Sequence, residues 1–389
     1  MIWAKSTIMK KIILLTIFAF TGIYTNGQTG NDIKPEKILK KHTDGVSALA
    51  FSPDGQVLAS GSADKTIILW NTNTWEPGKP LTGHSNSING LAYLPSGTRL
   101  YSGGDYFVRS WKPTGEALDN YRGPTTYIWS IAVKPDSSQF ITGSFEKNIK
   151  LIDRKTGKVS NIGGHAKSAL AVAYSPNGEL MASGSLDETI YLWDTKTYKQ
   201  IDTLKGHGGN IYCVTFSHNG KYLASSSNDN TIRLWEVSTG KLLRTFMGHT
   251  NGVLSVVFSP DDNYLVSGSA DTNIILWEIC NGNQLAVLAG HTNVVNKVAF
   301  HPSGEYFASA ANDKTIAIWK FSHQLIAAYY FGKEINAEKE QSGLFMAKGK
   351  EEAKADFQSR QQKAVEFENQ LTEKYYNQYA SSIKGVWKE

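Results

Sequence analysis

Short runs of alternating apolar and polar residues, separated by turn residues, cover most of this chain. One example begins with YKQIDTL (198–204) and continues with NIYCVTF (210–216), KYLASSS (221–227) and TIRLWEV (231–237). Turn residues such as SHNG (217–220) separate these runs. Successive side chains of a strand point to opposite faces, so alternation interrupted by turns about every eight to twelve residues predicts short β-strands. We therefore expect all-β structure over most of the chain.

The four-strand unit occurs seven times, with a period of 41 or 42 residues. In six copies a Trp ends the third strand, an Asp precedes that Trp by six residues, and a His precedes the Asp by 21 or 22 residues. The six sets are His42, Asp64 and Trp70; His84, Asp105 and Trp111; His165, Asp187 and Trp193; His207, Asp229 and Trp235; His249, Asp271 and Trp277; and His291, Asp313 and Trp319. The third copy has Pro124, Glu146 and Ile152 at these positions.

The Gly-His dipeptides and the terminal pairs of Trp with an acid, such as Trp193-Asp194, resemble those of the WD-repeat β-propeller family. The resemblance covers residues 36–320, about three quarters of the chain. It implies an all-β, seven-bladed β-propeller of four-stranded antiparallel blades around a central channel. The last copy ends its third strand at Trp319, so its fourth strand must come from elsewhere. Because PEKILKKH (35–42) matches the outer strands of other copies, we expect strand 37–41 to close blade seven.

The resemblance also implies a role for the repeated polar residues. In WD-repeat blades the Trp donates a hydrogen bond to a strand Ser or Thr, which bonds the His, which bonds the turn Asp. In the fifth copy the hydroxyl would come from Ser225 or Ser227. Ser, His and Asp also form nucleophilic triads, but a reaction needs one site and this set occurs six times. We interpret it as structural, and we interpret the third copy as having lost the whole set because a half-satisfied buried network is unfavourable.

The first residues resemble an export signal. Lys10 and Lys11 precede an apolar run of 13 residues at 12–24, and small polar residues follow. This order predicts that 1–27 is a secretory signal peptide and that the protein is exported, to a periplasmic or extracellular compartment. The run is short for a membrane span, which needs about 20 residues. An uncleaved membrane anchor is the alternative, and Met9 is an alternative start to Met1.

The repeats stop at the start of segment 321–389, which we expect to be a helical C-terminal extension. Its apolar residues recur at helical steps of three or four, as in Ala364, Phe367, Leu371 and Tyr375. Three uses remain open for such a tail. It could pack as a helix on the propeller, bind a partner, or form a flexible tail.

Composition and spacing restrict the classes of function. The net charge of +5 is small and scattered, which does not indicate a nucleic-acid partner. No Cys and His set suggests a metal site, and we expect no cofactor. The positions at the channel top, five residues after each His position, are Ser47, Asn89, Trp129, Leu170, Tyr212, Leu254 and Asn296. None is an acid or a metal ligand. Because the WD-repeat resemblance also implies an interaction scaffold, we favour a non-catalytic protein-interaction scaffold, a monomeric propeller within a complex, over a hydrolase or lyase with a channel active site.

Copies three to five differ from the others on the face where the His loops and Asp turns emerge. Here the channel-top residue and the residue before the turn acid become apolar. With one further ring in copy three, the set is Tyr127, Trp129, Phe145, Leu170, Leu186 and Tyr212. We expect one apolar sector that binds a protein partner. Two alternatives are that Trp129 and Phe145 fill space left by the missing network, and that the tail helix covers the sector.

Overall fold

The structure is a computed structural model that describes residues 33–346 and 354–383. The predicted signal peptide, 1–27, lies outside the described residues. The described chain divides into two units, a ring of β-sheets that ends at Phe321 and a pair of helices that begins after it. Seven antiparallel sheets form the ring, so the predicted seven-bladed propeller is confirmed.

Blades one to four follow each other along the chain, and each runs from the channel outwards. Their strands are β2 (Val46–Phe51), β3 (Val57–Ser62) and β4 (Ile67–Asn71); β5 (Gly90–Tyr93), β6 (Leu100–Gly103), β7 (Phe107–Trp111) and β8 (Ala117–Arg122); β9 (Ile128–Val133), β10 (Gln139–Ser144), β11 (Asn148–Asp153) and β12 (Val159–Gly164); and β13 (Ala169–Tyr174), β14 (Leu180–Ser185), β15 (Ile190–Asp194) and β16 (Gln200–Leu204).

Blades five and six have the same order, and blade seven takes its outer strand from the N-terminal end of the ring. Their strands are β17 (Ile211–Phe216), β18 (Tyr222–Ser227), β19 (Thr231–Glu236) and β20 (Leu242–Met247); β21 (Val253–Phe258), β22 (Tyr264–Ser269), β23 (Ile274–Glu278) and β24 (Gln284–Leu288); and β25 (Val295–Phe300), β26 (Tyr306–Ala311), β27 (Thr315–Lys320) and β1 (Lys37–Lys40).

The outer strand of blade seven joins the two ends of the ring. β1 pairs antiparallel with β27, with Lys37 opposite Ile318 and Lys40 opposite Thr315. Leu39 of this strand is buried in the core between blades seven and one. The innermost strand of blade one, β2, contacts both β5 and β25, and the other innermost strands contact their neighbours in ring order. The ring is therefore closed by hydrogen bonds and by packing.

Blade one departs from the four-stranded pattern. Its outer position holds two isolated bridges, between Ile67 and Leu81 and between Trp70 and Pro77, in place of a continuous fourth strand. The segment contains Pro77 and Pro80, and proline has no N–H to donate to a ladder. The outer edge of this blade is consequently shorter than the repeat pattern predicts.

Apolar residues of neighbouring blades meet between the sheets. One cluster joins Ile232 and Leu234 of blade five to Val253 and Val256 of blade six, and Trp277 lies in the same cluster. Full burial of such an aliphatic side chain contributes about 1.5–3 kcal/mol relative to leaving it exposed. Because each cluster is shared, each blade depends on its neighbours for its core.

The helical unit consists of α1 (His323–Ser342) and α2 (Lys354–Ile383), which confirms the predicted C-terminal helix. Ala327 and Ile335 of α1 pack against Leu371 and Tyr375 of α2. The Lys374 ammonium and the Tyr375 hydroxyl donate to the Glu338 carboxylate at 2.6 and 2.5 Å. Among the described residues, no helix combines the length and the apolar character needed to cross a membrane.

Candidate functional site

The repeated polar residues form one hydrogen-bonded network of side chains in each of six blades. The Trp indole N–H donates to the strand Ser hydroxyl at 2.8–2.9 Å, the Ser hydroxyl meets the His Nε2 at 2.7–2.8 Å, and the His Nδ1 meets the Asp carboxylate at 2.8–3.1 Å. The serines are Ser60, Ser102, Ser183, Ser225, Ser267 and Ser309. In blade five Ser225 is therefore the member of the set, and Ser227 instead donates to the Gly209 carbonyl.

A neutral His with its proton on Nδ1 is compatible with every hydrogen bond of this network. The Ser hydroxyl accepts from the Trp and donates to Nε2, and Nδ1–H then donates to the Asp. Burial lowers the pKa of His42, His165 and His207, although the neighbouring Asp opposes this shift. The Asp carboxylate also accepts the backbone N–H of the residue after the His, as Asp229 does from Gly208 at 3.0 Å. The network thus connects the two middle strands, a loop and a turn of one blade.

Burial separates this network from nucleophilic triads. Ser225 is fully buried and Trp235 almost so, and His207 is only 6% exposed. No substrate carbonyl could reach such a hydroxyl without the blade opening. The glycine before the His is explained by the same packing: a Cβ at Gly248 would lie 2.9 Å from the Trp277 ring, and one at Gly290 would lie 2.7 Å from the Trp319 ring.

Blade three lacks the His and the Trp but keeps one hydrogen-bonded contact of the network. Thr125 donates its backbone N–H and its hydroxyl to the Glu146 carboxylate, both at 2.5 Å. Glu146 thus performs the loop-to-turn contact that the Asp makes elsewhere, and the idea that this blade lost the whole set is wrong. Thr142 stands at the Ser position, where its buried hydroxyl has no hydrogen-bond partner among the described residues.

Aromatic rings cluster on the face where the His loops and Asp turns emerge; three are exposed, and those of Trp129 and Tyr212 are half-buried. Tyr127 is 43% exposed, and its ring stacks on that of Tyr106 with centroids 5.7 Å apart. Phe145 is 45% exposed and contacts Trp129 edge to face at 5.8 Å. Trp129 in turn contacts Tyr212 of blade five at 6.4 Å. We call these five residues the aromatic face.

The structure changes which residues belong to the predicted apolar sector. Leu170 is 2% exposed, so its prediction as a partner contact is wrong: the channel-top position of blade four faces the protein interior. Leu186 is half-buried in its turn. Sequence reasoning missed the exposed rings of Tyr106 and Phe107 in blade two, which directly follow the turn Asp105 and were therefore not among the positions compared. Because Phe145 is exposed, it does not fill space left by the missing network.

The central channel opens beside Trp129 and contains a cavity of about 120 Å³. Every predicted channel-top residue except Leu170 lines it. The three polar ones bond to neighbouring blades: the Ser47 hydroxyl donates to the Ile88 carbonyl at 3.3 Å, the Asn89 amide to the Ile128 carbonyl at 3.4 Å, and the Asn296 amide to the Val46 carbonyl at 2.9 Å. Lys297 is the charged residue among the described residues that line the cavity.

The described residues also contain no group of three or more His, Cys, Asp or Glu side chains arranged to hold a metal ion. The lining of the channel therefore offers an ammonium, amides, hydroxyls and the Cys213 thiol, but no carboxylate. These groups can bind a ligand by hydrogen bonds and one positive charge.

Three family models match the propeller. A model described as IFT122 first beta-propeller matches residues 26–201, one described as Echinoderm microtubule-associated protein second beta-propeller matches 128–295, and one described as WD domain, G-beta repeat, matches 282–320. These matches support a WD40-repeat β-propeller. The chain is 29% identical over 179 residues to Striatin-4 of Homo sapiens, covering 42% of this chain and 24% of that protein.

Two further relatives match similar lengths of the chain. Identity is 27% over 172 residues to the Serine-threonine kinase receptor-associated protein of Gallus gallus, covering 42% of this chain and 49% of that protein. It is 35% over 195 residues to the Nuclear distribution protein PAC1 of Coccidioides posadasii, covering 42% and 41%. The chain thus spans half or less of the length of these three relatives.

Proposed function

We propose that this protein is a non-catalytic scaffold of an exported compartment that binds a protein partner through the aromatic face. The observation that carries this proposal is the cluster of exposed rings on one face of the propeller, centred on Tyr127 and Phe145. Contiguous exposed apolar surface marks interaction sites, and Tyr and Trp are enriched among the residues that contribute most to binding. The buried, repeated Ser–His–Asp sets account for the residues that would otherwise suggest hydrolysis.

The relatives support the scaffold class. One is named for its association with a serine-threonine kinase receptor, which describes binding and not a reaction. A closed ring of blades presents many loops on a rigid support, and this suits the binding of other proteins. Fold alone does not establish function, so the proposal depends on the aromatic face. The helical unit is a second candidate surface for the same partner.

Export is supported by the sequence of the first 27 residues alone. Under this proposal the signal is removed and the mature protein begins near Gln28. Intact-mass measurement on the protein recovered from its native cell, together with fractionation, tests this. A soluble form inside the cytoplasm that still carries Met1 or Met9 would contradict the export proposal and leave the scaffold proposal standing.

The binding surface is tested with Trp129→Ala and Tyr127→Ala. Partners are captured from the cell-envelope fraction with the wild-type protein, identified by mass spectrometry and purified for affinity measurement. Each change should weaken binding by about 2 kcal/mol or more, as truncation of a central aromatic contact does, while the melting temperature moves little. Ile201→Ala, which removes an exposed apolar side chain from the outer strand of blade four, is the matched control. Unchanged affinity in both aromatic variants would overturn the proposed surface.

A further inference from the structure

A groove lies on the outer part of the aromatic face, between blades two and three. Tyr106, Tyr127 and Phe145 form its apolar walls, Thr125 and Thr126 complete it, and its volume is about 410 Å³. The stacked pair of tyrosines makes one wall flat. A groove of this kind receives an aromatic or proline side chain of an extended segment, because flat rings stack on flat rings and on the proline ring.

The two acids next to this groove are already neutralised. The Arg109 guanidinium donates to both oxygens of Asp105, at 2.7 and 2.9 Å. Burial alone would raise the pKa of Asp105, but hydrogen bonds from His84, from a backbone N–H and from Arg109 hold it far below its ordinary value. Glu146 forms an ion pair with Lys150 at 2.8 Å. The negative charge of each carboxylate is therefore balanced by a neighbouring cation and does not repel an acidic ligand.

Three cations around the groove have no such partner. Arg122, Lys147 and Lys167 are exposed, and none forms an ion pair with another described residue. Arg122 pairs with Phe107 across β7 and β8, and Lys147 lies in the same turn as Phe145.

Lys167 belongs to the neighbouring loop of blade four. The next residue, Ser168, donates its hydroxyl to the Phe145 carbonyl at 2.9 Å, which holds this loop against the turn of blade three. Lys297 is a fourth cation, and it lines the channel cavity to which Trp129 also contributes. One exposed acid, Glu188, lies in the turn of blade four. The aromatic face is therefore apolar at its centre and has exposed cations along blades two, three and four.

We propose that this groove binds an extended acidic segment of a protein partner, with an aromatic or proline residue in the groove and Asp or Glu on either side of it. This inference rests on the proposed function and specifies the partner. The rings supply contact area, and the cations attract the flanking carboxylates and orient the segment. Single-stranded nucleic acid also combines stacking with negative charge, but its sites follow the backbone along a positively charged groove. Here three cations lie in the segments next to one local groove instead, and Lys297 lies in the channel.

A peptide selection tests the proposal. Random 12-residue peptides displayed on phage are selected on the purified full-length protein, and affinities of the selected peptides are measured at low and high salt. We expect Asp or Glu next to an aromatic or proline residue in the selected peptides. Replacing Arg122, Lys147 and Lys167 together by Gln should weaken these peptides roughly tenfold, as the loss of three rim charges does. Added salt should also lower the affinity of the wild-type protein for these peptides, because it screens the same charges.

The matched control makes the same charge change on the opposite face. Lys199, Lys221 and Lys241 are exposed in turns at the other end of the blades, and replacing them by Gln should leave peptide affinity unchanged. Selected peptides without acids that still lose binding in Tyr127→Ala would overturn the acidic partner and keep the scaffold proposal. If the selected peptides bind the Tyr127→Ala variant as tightly as the wild-type protein, both the acidic partner and the proposed binding surface are wrong. Equal or tighter binding of a thymidine oligonucleotide at the same residues would also overturn the acidic peptide.

Discussion

Replacing His207 by Ala measures what one buried network contributes to the propeller. The imidazole accepts from Ser225 and donates to Asp229, each at 2.8 Å, inside blade five. Without it, the Ser225 hydroxyl keeps the Trp235 donor but loses its acceptor. Asp229 keeps its bonds from Gly208 and Thr231. A buried polar group left without a partner costs about 1–3 kcal/mol, so we expect the free energy of unfolding to fall by roughly 1–3 kcal/mol.

Equilibrium urea unfolding measures this effect, followed by tryptophan fluorescence and by circular dichroism. Coincidence of the two signals establishes that the ring unfolds as one unit, which the free-energy comparison requires. His218→Ala is the matched control, because His218 contacts Asp262 at 2.9 Å but its side chain is 56% exposed. An exposed pair contributes less than about 1 kcal/mol. Equal losses in the two variants would refute the reasoning that the buried network stabilises the blade.

Two further predictions follow from the network and from ring closure. Burial lowers the pKa of His42, His165 and His207, so the unfolded chain binds protons first and stability should fall as pH drops below about 6.5. Hydrogen bonds outweigh burial at the turn carboxylates, including Asp229, and hold their pKa below its ordinary value, so the free energy of unfolding should fall more steeply below about pH 4. Urea unfolding from pH 7 to 3 checks both expectations. Greater stability at pH 5 than at pH 7 would contradict the first. A protein that begins at Thr43 lacks β1 and exposes the edge of β27, so it should aggregate more than one that begins at Gln28 in light scattering; equal solubility and stability of the two would contradict the role of β1.

The regular part of the fold was predictable because its signal is repeated. Six of the seven blades contain the same buried network from Trp to Asp, so its repeated spacing shows where their strands and turns must lie. Blade one shows the limit of this reasoning. Its Trp70 keeps the network, but the segment that follows contains prolines that cannot continue a ladder, and the outer strand is reduced to two bridges. The repeat pattern records the network and not the length of the outer edge.

The candidate site was predictable only in part, because alternation reports the side of a strand and not the depth of a side chain. Leu170 and Trp129 occupy equivalent positions, yet the leucine is buried and the larger indole reaches the channel. Tyr106 was missed because it lies one residue after the turn acid, where blades one and seven carry Lys65 and Lys314. Its stack on Tyr127 depends on how two neighbouring blades pack. Sequence spacing within one copy does not contain that information.

The last prediction concerns the unpaired hydroxyl of blade three. Thr142 is fully buried at the position where other blades have the Ser that links Trp to His. Its hydroxyl has no partner among the described residues, and a buried hydroxyl without a hydrogen bond costs about 1–3 kcal/mol in protein mutants. Val has nearly the same shape without the hydroxyl, so Thr142→Val should raise the free energy of unfolding by about 1 kcal/mol. Ser225→Ala, at the equivalent position of blade five, should lower it because Trp235 and His207 each lose a partner. Urea unfolding compares the two variants. A loss in Thr142→Val as large as that in Ser225→Ala would mean that blade three still uses its hydroxyl, and that Glu146 is not the last remaining part of its network.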